Sequence, residues 1–378
     1  MSGSAVNVSA ESDKKSCPMD ELPDEIFAHI LTLCSIRDVC RSMSVSRNWE
    51  AAARYAIRVR ETIVVRQSER QASDEFRVFS PLDAVSMTRQ EGKEKSKWQL
   101  SLLNCTNQME CLRTFQSVLF HPFREELQRT VKNNMSTLRT LIIPEWTLPY
   151  DGRTAYSRLR ELECRSLGNK AAAACPVLRV LRLENQISKT VFKFLPVDTM
   201  RELKCRMGFG DIRAGTDADL VDGVSSLIHL KKFNMWNLDN KSLQQIFSKL
   251  TQLTCFGILW ARDVEAAVAT LVHNNPDLQT LRFGKCSGNY LNSLSRLRKL
   301  QFVFLHGMGM PAQEYVTFLR GGSRHALRKV SIYGVHPTIC LLVESEFRLI
   351  GKETGREIRS KTRGNSITVE LVEDGEAH

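Results

Sequence analysis

A chain of 378 residues with 42% hydrophobic content is long for one core, so two or more units, or an array of repeats, are expected. No run of eighteen apolar residues occurs, and the first residues lack the basic-then-apolar layout of a signal peptide. A soluble intracellular protein is expected, cytoplasmic, nuclear or both, with no membrane association. The 11 cysteines are odd in number, lie within apolar runs and form no Cys-x-x-Cys pair. They read as small buried hydrophobes in a reducing compartment, with neither a disulfide framework nor a metal site.

Residues 1 to 18 have the composition of a disordered tail. Ordered apolar positions follow over residues 19 to 62: Leu22, Pro23, Ile26, Ile30, Leu33, Val39, Val45 and Trp49. Pro23 suits the first turn of a helix, and Asp24 and Glu25 place negative charge at its positive end. Ile26, Ile30, Leu33 and Cys34 make one helical stripe. Ser35 can cap a second helix on which Val39, Cys40 and Met43 share a face, and Ser46 a third carrying Trp49, Ala52, Ala53 and Ala56. Three short helices in so few residues cannot bury all their apolar faces alone and call for a partner.

The series Leu22-Pro-x-Glu, Ile at the next turns, then Val45-Ser-Arg-x-Trp49, resembles the F-box. That resemblance implies docking onto a Skp-type adaptor, and through it a cullin–RING ubiquitin ligase, by Leu22, Pro23, Ile26, Ile30, Leu33, Val39, Val45 and Trp49. One departure is Cys34-Ser35-Ile36, which stands where the family usually has a Leu-Pro step.

The polar stretch 63 to 98 reads as a linker or irregular cap. From residue 99 to 336 the template apolar-x-x-apolar-x-apolar recurs about ten times, starting at Leu112, Leu138, Leu159, Leu178, Met200, Leu230, Leu253, Leu278, Leu300 and Leu327. The starts lie 19 to 30 residues apart, centred on the period of leucine-rich repeats. Between them Leu243, Ile246, Phe247 and Leu250, and again Val264, Ala267, Val268 and Leu271, have helical spacing. Cys175-Pro-Val-Leu-Arg-Val-Leu-Arg-Leu183 resembles the repeat starts of F-box leucine-rich proteins. The expected fold is therefore α/β: a three-helix F-box, then a leucine-rich-repeat solenoid with a parallel sheet and outer helices. Residues 337 to 378 read as a C-terminal cap with a basic segment from Gly351 to Arg363, a strand at Ile367–Val372 and an acidic tail.

Charge is concentrated in the repeats: residues 100 to 340 hold 32 Lys/Arg against 19 Asp/Glu. The second and fifth template positions carry Arg139, Arg160, Arg179, Arg182, Arg201 and Lys204, and alternation places them on the outward face of the strands. Such a ladder suits an acidic or phosphorylated protein segment through charge-assisted bonds. Two alternatives stay open: a solvated face neutralised by Glu161, Glu163 and Glu202, or a phosphate-backbone contact with nucleic acid.

Catalysis has little support. No phosphate loop, nucleophile elbow or paired acid–base set occurs. The glycines around Gly208 and Gly307 read as turns, Cys164 and Cys205 as inward residues, and no cofactor is expected. The residues thus point to a substrate-recognition subunit of a ubiquitin ligase. The alternative is a repeat scaffold, or a nucleic-acid-associated protein whose F-box-like helices only cap the array.

Overall fold

The computed structural model describes residues 22–66, 84–86, 109, 111–117, 124–185, 189–205, 218–286, 289–306 and 310–372. The expected tail at 1–18, most of the 63–98 stretch, the glycines at 208, 210, 307 and 309 and the acidic end at 373–378 lie outside them. Two compact units are present, Met1–Leu112 with Phe123–Asn133, and Arg113–Pro122 with Asn134–His378.

In the first unit, α1 (Asp24–Thr32), α2 (Ile36–Ser42) and α3 (Arg47–Arg58) follow one another closely. Ser35 accepts from the Asp38 amide at 3.2 Å and Ser46 from the Trp49 amide at 3.3 Å; each satisfies an otherwise orphan helix donor. The core closes on Phe27, Ala28 and Leu31 from α1, Ile36, Val39 and Cys40 from α2, and Ala52, Ala53, Ala56 and Ile57 from α3. Alanines on α3 let the helices approach closely, and α1 and α3 pack together. A strand pair, β1 (Thr62–Arg66) with β2 (Ala84–Ser86), runs parallel within the stretch read from sequence as a linker. The helix α4 (Arg124–Asn133) belongs to this unit as well.

In the second unit, β3 (Thr114–Ser117), β4 (Thr140–Thr147), β5 (Glu161–Ser166), β6 (Val180–Leu183) and β7 (Glu202–Cys205) lie side by side in chain order. They are followed by β8 (Lys232–Asn237), β9 (Cys255–Ala261), β10 (Thr280–Cys286), β11 (Phe302–His306) and β12 (Lys329–Tyr333). Every neighbouring pair in that series is parallel. Helices or turns complete each step, among them α5 (Asn169–Ala173), α6 (Ala218–Ser225), α7 (Asn240–Lys249), α8 (Glu265–Asn274), α9 (Leu291–Leu294) and α10 (Ala312–Leu319).

The template explains the stacking. Its fourth position aligns Leu141, Leu162, Leu181, Leu203, Phe233, Phe256, Leu281, Val303 and Val330 in one row across the sheet, all fully buried. The first position is buried too, from Leu138 and Leu159 through Leu178 to Leu278 and Leu327. Each such side chain contributes roughly 1.5–3 kcal/mol by leaving water. The second position sits one residue before the strand, and its carbonyl accepts two amides from the next repeat: Arg160 O takes Arg179 N at 2.8 Å and Val180 N at 2.9 Å. Buried Asn275 ties neighbours together, accepting from Leu253 N at 2.7 Å and donating to Leu250 O at 2.8 Å.

The end of the sheet is a hairpin. The helix α11 (Pro337–Thr354) stops at Gly355, whose left-handed φ of 69° favours glycine. Then β13 (Glu357–Arg363) and β14 (Ser366–Val372) pair antiparallel around Gly364–Asn365, and β14 pairs antiparallel with β12. The sequence places only β14; the basic residues read as a polar segment form β13 instead.

Candidate protein-interaction surfaces

The helix α1 carries two apolar stripes, and only one is used internally. Phe27, Ala28 and Leu31 are buried, whereas Ile26 is 51% and Leu33 64% exposed, with Val45 between α2 and α3 at 62%. Pro23 is exposed, Leu22 and Ile30 are half-buried. Trp49 is half-buried, its ring edge-on to Phe27 at 4.6 Å between centroids. Val39 corrects the sequence reading: at 0% exposure it sits in the core with Ile36 and Cys40, so no partner reaches it. Exposed aliphatic side chains that the fold does not need mark a surface suited to a protein partner.

Arg60, which sequence reasoning missed, braces this surface. Its side chain is buried, and Nη2 donates to Cys34 O at 2.5 Å, Thr32 O at 3.3 Å and Leu31 O at 3.4 Å. The Leu31 and Thr32 carbonyls lie at the end of α1, where a cation is favoured, and Cys34 lies just beyond it; Leu31 O also accepts the Cys34 amide at 3.2 Å. The α1–α2 step that departs from the family pattern is thus held by a guanidinium from beyond α3.

On the second unit the six basic residues singled out in the sequence separate into two rows. Arg139, Arg160 and Arg179 stand exposed before their strands and meet no carboxylate among the described residues, and Arg201 folds back, Nη1 donating to Asp198 O at 2.9 Å and Met200 O at 2.8 Å. Arg182 and Lys204 are in register on β6 and β7. Arg182 is surrounded by acid: Nη1 lies 2.7 Å from Glu161 Oε1 and 3.8 Å from Glu163 Oε2, and Nη2 lies 2.9 Å from Glu202 Oε1. Burial pulls its pKa down, but the bonds to Glu161 and Glu202 outweigh that and hold it above the ordinary value. Glu163 is raised by burial, which Arg182 partly offsets. The physical reason for the split is register: the strand begins at template position three, so position two precedes the sheet face.

The inward thiols are inert. Burial pushes Cys175 up to about 12 and raises Cys164 and Cys205 further, leaving no thiolate near neutral pH. No helix among the described residues is long and apolar enough to cross a membrane, and no metal-binding group of His, Cys, Asp or Glu forms among them.

Comparison with known proteins bears on the three N-terminal helices. Residues 19–58 match the family model described as F-box-like, the span of α1–α3. No curated protein matches the chain. The chain therefore carries an F-box-like domain at residues 19–58.

Proposed function

We propose that the chain is the substrate-recognition subunit of a Skp–cullin–F-box ubiquitin ligase. In this reading residues 19–62 hold the Skp-type adaptor. Residues 99–336 form a leucine-rich-repeat solenoid that holds the protein to be ubiquitinated, and 337–378 cap its end. The chain does no chemistry itself; it supplies proximity, and the ligase supplies the reaction. The observation that carries the proposal is the exposure of Ile26, Leu33 and Val45 on a three-helix unit whose core closes without them, within the F-box-like segment. A few side chains that become fully desolvated in a complex carry most of an interface's binding energy, and half-buried Trp49 beside them is of the type most often among these.

For the captured protein, the exposed guanidiniums of Arg139, Arg160 and Arg179 support an acidic or phosphorylated segment. They come one per repeat, at a parallel-strand spacing of about 4.8 Å. Arg182, held by three carboxylates, is left out of that contact, and Arg201 and Lys204 flank it. The test is affinity purification of the full chain with and without a proteasome block. The expected result is an adaptor that co-purifies in both, with ubiquitinated proteins accumulating under the block and unaffected by nuclease. Recovery of nuclease-sensitive partners without adaptor would favour the scaffold reading instead.

A further inference from the structure

The sheet face over β9–β12 is chemically unlike the face over β5–β7. Asn234, Gly257, Arg282, Phe304 and Ser331 stand opposite one another across β8–β12, flanked by the buried rows of Phe256 and Ile258. The row therefore lies on the side of the sheet opposite that core, with Arg282 exposed, Phe304 half-buried, and Gly257 and Ser331 covered by their neighbours. A second row in register holds Trp260, Lys285, His306 and Tyr333. Tyr333 is 46% exposed, and Arg282 and Lys285 are exposed. The strands β9, β10 and β11 contain no carboxylate. Arg282 lies over the Phe304 ring at 4.9 Å and Arg262 over Trp260 at 5.2 Å, and neither they nor Lys285 meets a carboxylate among the described residues.

Polar groups bound this strip on both sides. Toward β8, the Asn234 side chain lies across Gly257, where a Cβ would come within 2.1 Å of Asn234 Oδ1. Toward the hairpin, Thr368 Oγ1 bonds Ser331 Oγ at 3.0 Å. Aromatic side chains and arginine bordered by polar groups, half-buried Asn234 on one side and Thr368 on the other, match the composition of a protein-binding patch. A single-stranded nucleic acid would stack its bases on open ring faces, and a guanidinium already occupies one face of Phe304 and one of Trp260.

We propose that this face of β9–β12 docks an extended acidic segment of the captured protein. Its carboxylates meet Arg282 and Lys285, and an aliphatic or aromatic side chain rests against Phe304 and Tyr333. The site rests on the receptor role proposed above and is separate from the Arg139–Arg179 row. Three strand spacings cover about 14 Å, the reach of roughly four extended residues.

The experiment is selection of a random heptapeptide display library on the full chain purified with its adaptor, followed by fluorescence anisotropy of the enriched peptides. Expected is enrichment of two or more Asp or Glu beside one Phe, Trp, Tyr or Leu. Binding should fall at least tenfold in the Arg282→Gln/Lys285→Gln variant and several-fold in Tyr333→Ala. It should persist in Lys241→Glu, on exposed helix surface elsewhere, and in Arg160→Glu/Arg179→Glu. If the glutamine pair does not fold, the wild-type complex still decides the matter: affinity must fall steeply between 50 and 500 mM salt, as exposed charge pairs are screened. The proposal is overturned if no acidic–apolar class is enriched, if the glutamine pair binds as the wild type does, or if a fluorescent twelve-nucleotide oligothymidine binds more tightly than any peptide. Loss of adaptor from the purified complex, with peptide binding intact, would count against the ligase role and not against this site.

Discussion

The strands β5–β7 and β9–β11 share one backbone plan and differ in what they show to solvent. In the first, Glu161, Glu163 and Glu202 close around Arg182 and the charges satisfy one another. In the second, Arg282 and Lys285 have no acid within their strands and lie beside aromatic rings. A part-buried, self-compensated cluster holds repeats together, because carboxylates that lose such a guanidinium are left poorly solvated. An uncompensated surface is available to something else. Basic residues alone therefore do not define a binding face; whether their counter-charges are built in decides it.

The largest expected effects treat both regions alike. Leu181→Ala and Leu281→Ala empty equivalent places in one buried row, and each should cost about 2–5 kcal/mol. Urea unfolding of the single variants checks this, and a loss at one position without the other would break the common plan of the repeats.

The guanidiniums should separate the regions. Arg182→Ala removes the guanidinium that Glu161 and Glu202 share, with Lys232 still 3.5 Å from Glu202, and should cost about 2 kcal/mol. Arg282→Ala removes an exposed side chain and should change stability by less than about 0.5 kcal/mol. Equal losses in the same melts would mean that the two surfaces are energetically the same. A smaller and purely chemical contrast concerns thiols. At pH 8 the exposed Cys111 should react with an alkylating reagent. Cys164, Cys175 and Cys205 should stay unmodified until the chain unfolds, because burial raises all three; mass spectrometry of the labelled peptides reads the difference.

Much of the second unit was legible because burial repeats with the template: a leucine at position one, another apolar residue at four and a third at six can hardly pack any other way once strands stack in order. The helices Asn240–Lys249 and Glu265–Asn274 were legible for the same reason. What failed was resolution by one residue. Position two looks like a strand residue in the pattern, but the strands start at position three, so Arg160 and Arg182 do not share a row. In the F-box-like unit, α1 has two apolar stripes and periodicity cannot say which is internal. Phe27 and Leu31 proved to be the core, while Ile26 and Leu33 are outside. Val39 has the same apolar character as Val45 and the opposite burial. Arg60 was invisible because its partners lie 26 to 29 residues earlier in the chain, a contact that no local pattern records.

That difference between Val39 and Val45 also supplies the most direct measurement of the central claim. Purified chain and a purified Skp-type adaptor are titrated by isothermal calorimetry, for the wild type and for Leu33→Asp/Val45→Asp, with urea melts of each. The account predicts a saturable one-to-one complex for the wild type, no detectable binding for the pair, and stability unchanged within about 0.5 kcal/mol because both side chains already face water. Full binding by the folded aspartate pair, or no complex with the wild type, would contradict it.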